Sequence, residues 1–233
     1  MPGSDSTIWL IMLPDNRLRD TSTGVYRWIL LPSNIVKMKI GIYGSVYAGN
    51  VKDKSIDYIG VDQGIIHLIK QNIKPIIAIG DMDSIEDKDL LKTLKVDEYS
   101  CIKDDTDTAL ALRYAFQQGY DVIDLYGVTQ KRMDHFLAVL CLLEKYQDKQ
   151  LTIYDELNKI YVLPAGKHKI LKDEYYYFSV FAFDESIITL KECHYPLNHY
   201  YLKRDDPLCV SNQMNNDYAI IENTKAILLI QSK

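Results

Sequence analysis

Cysteine is sparse: Cys101, Cys141, Cys193 and Cys209 stand far apart in 233 residues, with no CxxC pair. That excludes zinc-site spacing and a dense disulfide framework, so reduced thiols in a cytoplasmic protein are expected. Long apolar runs are missing too. The run FLAVLCLL, Phe136 to Leu143, falls far short of the ~20 residues that cross a bilayer, and the first residues lack a secretory pattern. The chain reads as soluble, with no membrane partner. Positive charge is in deficit, with a net charge of −5 and a pI near 5.5. General affinity for nucleic acid needs a surplus of Lys and Arg on one face, so no nucleic-acid partner is expected. A polyanionic ligand then requires a metal ion or a local basic patch. No GxxxxGK[ST], no GxGxxG after the first strand, no GxSxG and no HExxH occurs. Walker-loop, dinucleotide-binding, nucleophilic-hydrolase and zinc-protease readings are correspondingly weak.

What is present is the composition of an ordinary globular protein, 47% hydrophobic and 25% charged, sufficient for a real core. Residues 1–37 mix short apolar pieces with Pro, Ser, Asn and Asp and show no sustained period of 2 or 3.6. They read as an extension of uncertain structure, either an appendage or a mis-called start, with a small packed extension as the alternative. From 38 to 155, strand-like runs (KIGIYG, DYIGVD, PIIAIGD, DEYSCI, DVIDLYG, LTIYD) alternate with helical patterns (IIHLIKQN, IEDKDLLKTL, TALALRYAFQQ, DHFLAVLCLLEKY). Such alternation implies right-handed crossovers and a mostly parallel sheet covered on both faces, a Rossmann-like three-layer α/β domain. Gly119 is placed to close one helix and Asp134 to cap the next. From 156 to 233 the runs IYVLP, HKILKD, YYYFSVFAF, SIITLKEC, YYLKR, PLCVS, YAIIE and KAILLIQS are short and rich in Tyr, Ile and Val. They predict an antiparallel β-sandwich or barrel.

In an open parallel sheet, ligands bind outside the C-terminal strand ends. Carboxylates recur there: Asp62 ends DYIGVD, Asp81 and Asp83 lie in GDMDS, Asp104, Asp105 and Asp107 lie in KDDTD, and Arg132, Asp134 and His135 follow DVIDLYG. Like charges converging on one sheet edge repel unless a cation lies between them. Magnesium suits such a site, because it takes oxygen ligands and is usually shared between one or two carboxylates and substrate phosphates. Lys131 and Arg132 supply positive charge for a phosphate chain. A simpler alternative stays open, in which each DxD is a helix cap with a solvated carboxylate. Asp105 is the member most readily given to solvent, and His135 could equally be a helix-start residue packed on the sheet.

The order VDQG, GDMDS, KDDTD, GVTQKRMDH and then HYPLN and VSN resembles bacterial thiamine pyrophosphokinase, whose pattern reads approximately DxG, GDFDS, KDxTD and GxTGGRxDH. The resemblance covers nearly everything from Met38 onward. It implies a catalytic α/β domain joined to a thiamine-binding β-sandwich, in a homodimer that holds thiamine where the two kinds of domain meet across subunits. It also implies transfer of the pyrophosphoryl group of ATP to the thiamine hydroxyl, giving thiamine diphosphate and AMP. Under it, Asp81, Asp83 and Asp107 hold Mg²⁺ and, with Arg132 and Asp134, form the catalytic set. Asp62, Lys103, Asp104, Thr106, Lys131, Arg132 and His135 meet ATP and its phosphates. Ser211 and Asn212 recognise thiamine, beside the turn Tyr195, Pro196, Leu197 and Asn198. Three departures stand out: Gln63 where Arg is frequent, Gln130 and Lys131 for Gly-Gly, and Met82 for Phe. Two other functions compete, a thiamine-binding protein without catalysis and a metal-dependent glycosyltransferase using DMD as its DxD.

Overall fold

A computed structural model of the chain describes residues 10–12, 17–20, 28–30, 37–80, 85, 96–97, 105–130 and 132–233. The chain divides into two compact units, Met1–Lys37 and Met38–Lys233. In the first, β1 (Leu10–Met12), β2 (Arg17–Asp20) and β3 (Trp28–Leu30) form an antiparallel meander. Strands of three or four residues complete too few alternations to register as a period in the sequence.

The second unit is mostly sheet. β4 (Met38–Tyr43), β5 (Asp57–Val61), β6 (Ile77–Ile79), β7 (Val96–Asp97), β8 (Tyr120–Tyr126) and β9 (Gln150–Tyr154) lie in the order β9-β8-β4-β5-β6-β7. Every neighbouring pair among them is parallel. The helices among the described residues are α1 (Gly64–Ile69), α2 (Asp107–Gln117) and α3 (Met133–Lys145). The helical reading of IEDKDLLKTL and most of the strand reading of DEYSCI fall outside the described residues.

Among the parallel strands, β4, β5, β6 and β8 are largely buried on both faces, and the two faces differ in chemistry. Ile40, Ile42, Ile59, Val61, Ile77, Ile79, Ile123 and Leu125 form one core with Leu110, Leu112 and Ala115 of α2 and Val139 and Leu143 of α3. The alternate positions Tyr43, Tyr58 and Tyr126 form a second core with Leu68 of α1 and with Ala48 and Val51. Their hydroxyls hold the segment after β4: Tyr43 donates to Gly49 O at 2.8 Å and accepts from Ala48 N, and Tyr126 accepts from Lys52 N at 3.0 Å. Asp124 is buried on the tyrosine face with Lys39 Nζ 2.8 Å away; burial pushes its carboxyl up, against the pull of that ammonium group.

Beyond residue 155 the strands are β10 (Asn158–Leu163), β11 (Gly166–Leu171), β12 (Tyr177–Ala182), β13 (Glu185–Lys191), β14 (Leu197–Lys203), β15 (Asn212–Gln213), β16 (Tyr218–Asn223) and β17 (Ile227–Ser232). They pair antiparallel as a sandwich of β15-β12-β17-β10 and β11-β16-β13-β14. The α/β part and the sandwich share one sheet. β10 pairs antiparallel with β9, so near residue 155 the ladder changes direction without breaking. Asp155 builds that turn, accepting from Leu157 N at 2.8 Å and Asn158 N at 2.7 Å. PLCVS, expected as a strand, is instead a turn. The left-handed Ser211, at φ +58°, redirects the chain there, and the Cys209 carbonyl is engaged by Val180 N at 2.9 Å.

Candidate active site

The C-terminal ends of β4, β5 and β8 and the N-terminal ends of α2 and α3 enclose a cavity of about 300 Å³. Among the sequence-predicted residues, Asp62, Thr106, Asp107, Arg132 and His135 line it, together with Gln130. They come from segments far apart in the chain, brought together because parallel strands all point their C-terminal ends to one edge.

Asp62 follows β5 in a left-handed conformation, φ +49°. Its amide donates to Ile79 O at 3.1 Å and its Oδ2 accepts from Ser45 Oγ at 3.0 Å. Gly80, the first residue of GDMDS, closes the other side: a Cβ there would lie 2.0 Å from Asp62 Oδ1, and its φ is +125°. Only glycine allows the β6 end to pass so near the carboxylate. Gly127 does the same at the end of β8, where a Cβ would lie 2.3 Å from Val46 O. Thr106 is the N-cap of α2, its Oγ1 accepting from Ala109 N at 3.2 Å, and Asp107 occupies the first turn, where the helix dipole favours an anion. Asp105 points away into an ion pair with Arg113, 2.6 Å.

Arg132 and Asp134 form a forked pair, Nη2 to Oδ2 at 2.5 Å and Nε to Oδ1 at 3.1 Å. Arg132 holds the Asp134 carboxyl below the usual range, and Asp134 in turn raises the guanidinium. Asp134 is not the N-cap expected from the sequence. The extended Arg132 takes that place and α3 begins at Met133, because the Asp134 carboxylate turns back to Arg132 and to His135 N, 3.0 Å. Gly119 does close α2, at φ +87°.

Asp81, Asp83, Lys103, Asp104 and Lys131, with Met82, lie outside the described residues. Among the described residues no group of three His, Cys, Asp or Glu forms a metal set. The hard oxygen donors of Asp62 and Asp107 on one cavity do fit Mg²⁺, which needs only one or two carboxylates when phosphates supply the rest. Gln63 is exposed just before α1. Ser211 and Asn212 line no described part of the cavity. Asn212 is buried, and its amide grips the Tyr195 backbone: Oδ1 accepts from Tyr195 N at 3.0 Å and Nδ2 donates to Tyr195 O at 2.9 Å. The VSN and HYPLN motifs are thereby one structural feature presenting an exposed Tyr195.

Sequence reasoning missed Gly44, Ser45 and Val46, which line the cavity at the end of β4. Their signal was positional, since the first parallel strand ends on the same edge as the others, but no carboxylate marks it. Among the described residues no helix is long and apolar enough to cross a membrane.

Comparison with known proteins places the chain in a family. The family model for the thiamin pyrophosphokinase catalytic domain matches residues 49–154, and that for the thiamin pyrophosphokinase vitamin B1 binding domain matches 167–228. Thiamine pyrophosphokinase from Bacillus subtilis (strain 168) is 34% identical over 187 residues, covering 76% of this chain and 87% of that protein. The crystal structure of the Bacillus subtilis enzyme gives a TM-score of 0.73 at 30% identity, covering 84% of this chain and 99% of the other. That of thiamin pyrophosphokinase from Geobacillus thermodenitrificans gives 0.73 at 29% identity, covering 84% and 98%. With both halves matched in order, the chain belongs to the thiamin pyrophosphokinase family.

Proposed function

We propose that the chain transfers the pyrophosphoryl group of ATP to the hydroxyl of thiamine, forming thiamine diphosphate and AMP in the cytoplasm. The observation that carries this reading is the convergence of Asp62, Asp107 and Arg132, from three separate segments, on one cavity at the sheet edge. In this reading residues 38–155 form a Rossmann-like catalytic domain, 156–233 the thiamine-binding sandwich, and 1–37 an extension outside the chemistry. Matches to both family models speak against a nucleotide-sugar glycosyltransferase.

Asp62 and Asp107, with Asp81 and Asp83 of GDMDS, would hold Mg²⁺, whose charge would offset that of the phosphates during transfer. Arg132, kept in place by Asp134, donates to phosphoryl oxygens that gain charge as the thiamine hydroxyl attacks the β-phosphorus. Lys103, Asp104, Thr106, Lys131 and His135 complete the phosphate side, and a carboxylate accepts the hydroxyl proton. Ser211 and the Tyr195 turn held by Asn212 serve thiamine. In this reading the protein is a homodimer in which one subunit's sandwich completes the partner's site.

The test is formation of AMP and thiamine diphosphate from thiamine, ATP and Mg²⁺ by the intact chain and by Asp81→Asn and Asp107→Asn. Equal amounts of both products, reduced at least a hundredfold in the variants, support the reading. A folded wild-type chain that binds thiamine yet makes neither product would sink it.

A further inference from the structure

Gln130 has a backbone that its side chain disfavours. It sits at φ +70°, in the left-handed region where a residue other than glycine or asparagine is strained. Residues with fixed partners lie near it on both sides in the chain. Val128 and Thr129 before it are buried, and Thr129 Oγ1 is tied to Asp155 Oδ2 at 2.8 Å; on the other side Arg132 is locked to Asp134. Between these anchors Gln130 is exposed and lines the cavity. Beside it on the described wall stand the Asp62 and Asp107 carboxyl groups and the Arg132 guanidinium, two of whose N–H groups are given to Asp134. The amide of Gln130 adds a neutral donor to that wall.

We propose that Gln130 is a substrate-contacting residue, whose side-chain amide donates from Nε2 to an uncoordinated phosphoryl oxygen of the nucleotide. The strained backbone is retained because it aims the amide into the cavity. This rests on the pyrophosphokinase reading for the nature of the ligand, but not for the existence of the contact. No bond is made or broken through Gln130; it adds affinity for the phosphate chain.

The experiment compares the full chain with Gln130→Gly and Gln130→Asn. Glycine relaxes the backbone and removes the amide, whereas asparagine tolerates the conformation and keeps an amide. For Gln130→Gly the expected results are a melting temperature no lower than wild type, a KM for MgATP raised about tenfold as for a lost hydrogen bond to a charged group, and an unchanged KM for thiamine. Gln130→Asn should recover part of the loss. A KM for MgATP unchanged in Gln130→Gly would overturn the proposal, as would an equal rise for both substrates. Calorimetric titration with MgATP separates the two readings. If wild type makes no thiamine diphosphate but binds MgATP, and Gln130→Gly weakens that binding, the contact stands while the activity fails.

Discussion

At the scale of single residues, Asp62 shows how a carboxylate is held at a cavity wall. Its left-handed backbone, the Ser45 hydroxyl on Oδ2 and the close approach of Gly80 restrict it to one orientation at the cavity wall. Ser45 is itself fixed by its neighbours: Gly44 N donates to Tyr126 O at 2.7 Å and Val46 N to Gly127 O at 3.2 Å. Removing the hydroxyl takes one hydrogen bond from the carboxylate. Ser45→Ala should lower kcat/KM about tenfold, the effect of one hydrogen bond to a charged group, with little change in melting temperature. Full activity in a folded Ser45→Ala protein would show that Asp62 needs no such help. Nothing in the sequence marked Ser45, since a lone serine after a strand has no pattern. Asp62, by contrast, was legible from VDQG.

At the scale of elements, α2 depends on its first turn. Thr106 satisfies the Ala109 amide, which otherwise has no partner within the helix, and Asp107 complements the positive end of the dipole. Thr106→Ala is expected to destabilise by about 1 kcal/mol, a fall of roughly 2–4 °C in a protein of this size. Thr106→Ser should restore it, because the oxygen remains. Melting curves of the two variants decide the matter; equal losses would place the effect in the methyl group instead of the cap. The sequence reading placed Thr106 among the phosphate contacts and did not name it as a cap. The start of α3 was not legible there, because Asp134 resembles a cap in type and acts instead as the partner of Arg132.

At the scale of the whole second unit, distant segments are tied by a small ion network. Glu174 accepts from Lys233 Nζ at 2.8 Å, near the chain end, and from Lys52 in the segment between β4 and β5. These lysines, Lys233 first, lower the Glu174 carboxyl to about 2 from an ordinary 4.5. A carboxyl depressed by folding stabilises fully above its unfolded value, and that contribution is lost as pH falls through about 2. The group is partly exposed, so solvent screening limits the effect to about 1 kcal/mol or less. Glu174→Gln should therefore melt slightly below wild type at pH 6, with the gap closing between pH 4.5 and pH 2. A gap that persists or widens on acidification would contradict this assignment.

The sequence alone determined whatever depends on neighbours within a few positions: the alternation of strands and helices, the change of texture near residue 155, and the placing of Asp62, Thr106, Asp107 and Arg132 after strands. Periodicity and local turn chemistry are short-range properties, and they survive in a string of letters. Tertiary structure decided what depends on approach across the fold. It divided the apolar parallel strands into an isoleucine face and a tyrosine face, because only packing shows which side α2 and α3 cover. It continued one sheet from β9 into β10, buried Asn212 to hold Tyr195, and set Gln130 at a positive φ on the cavity wall. Each of these rests on hydrogen bonds or packing between residues remote in sequence, and no local pattern encodes such a pairing.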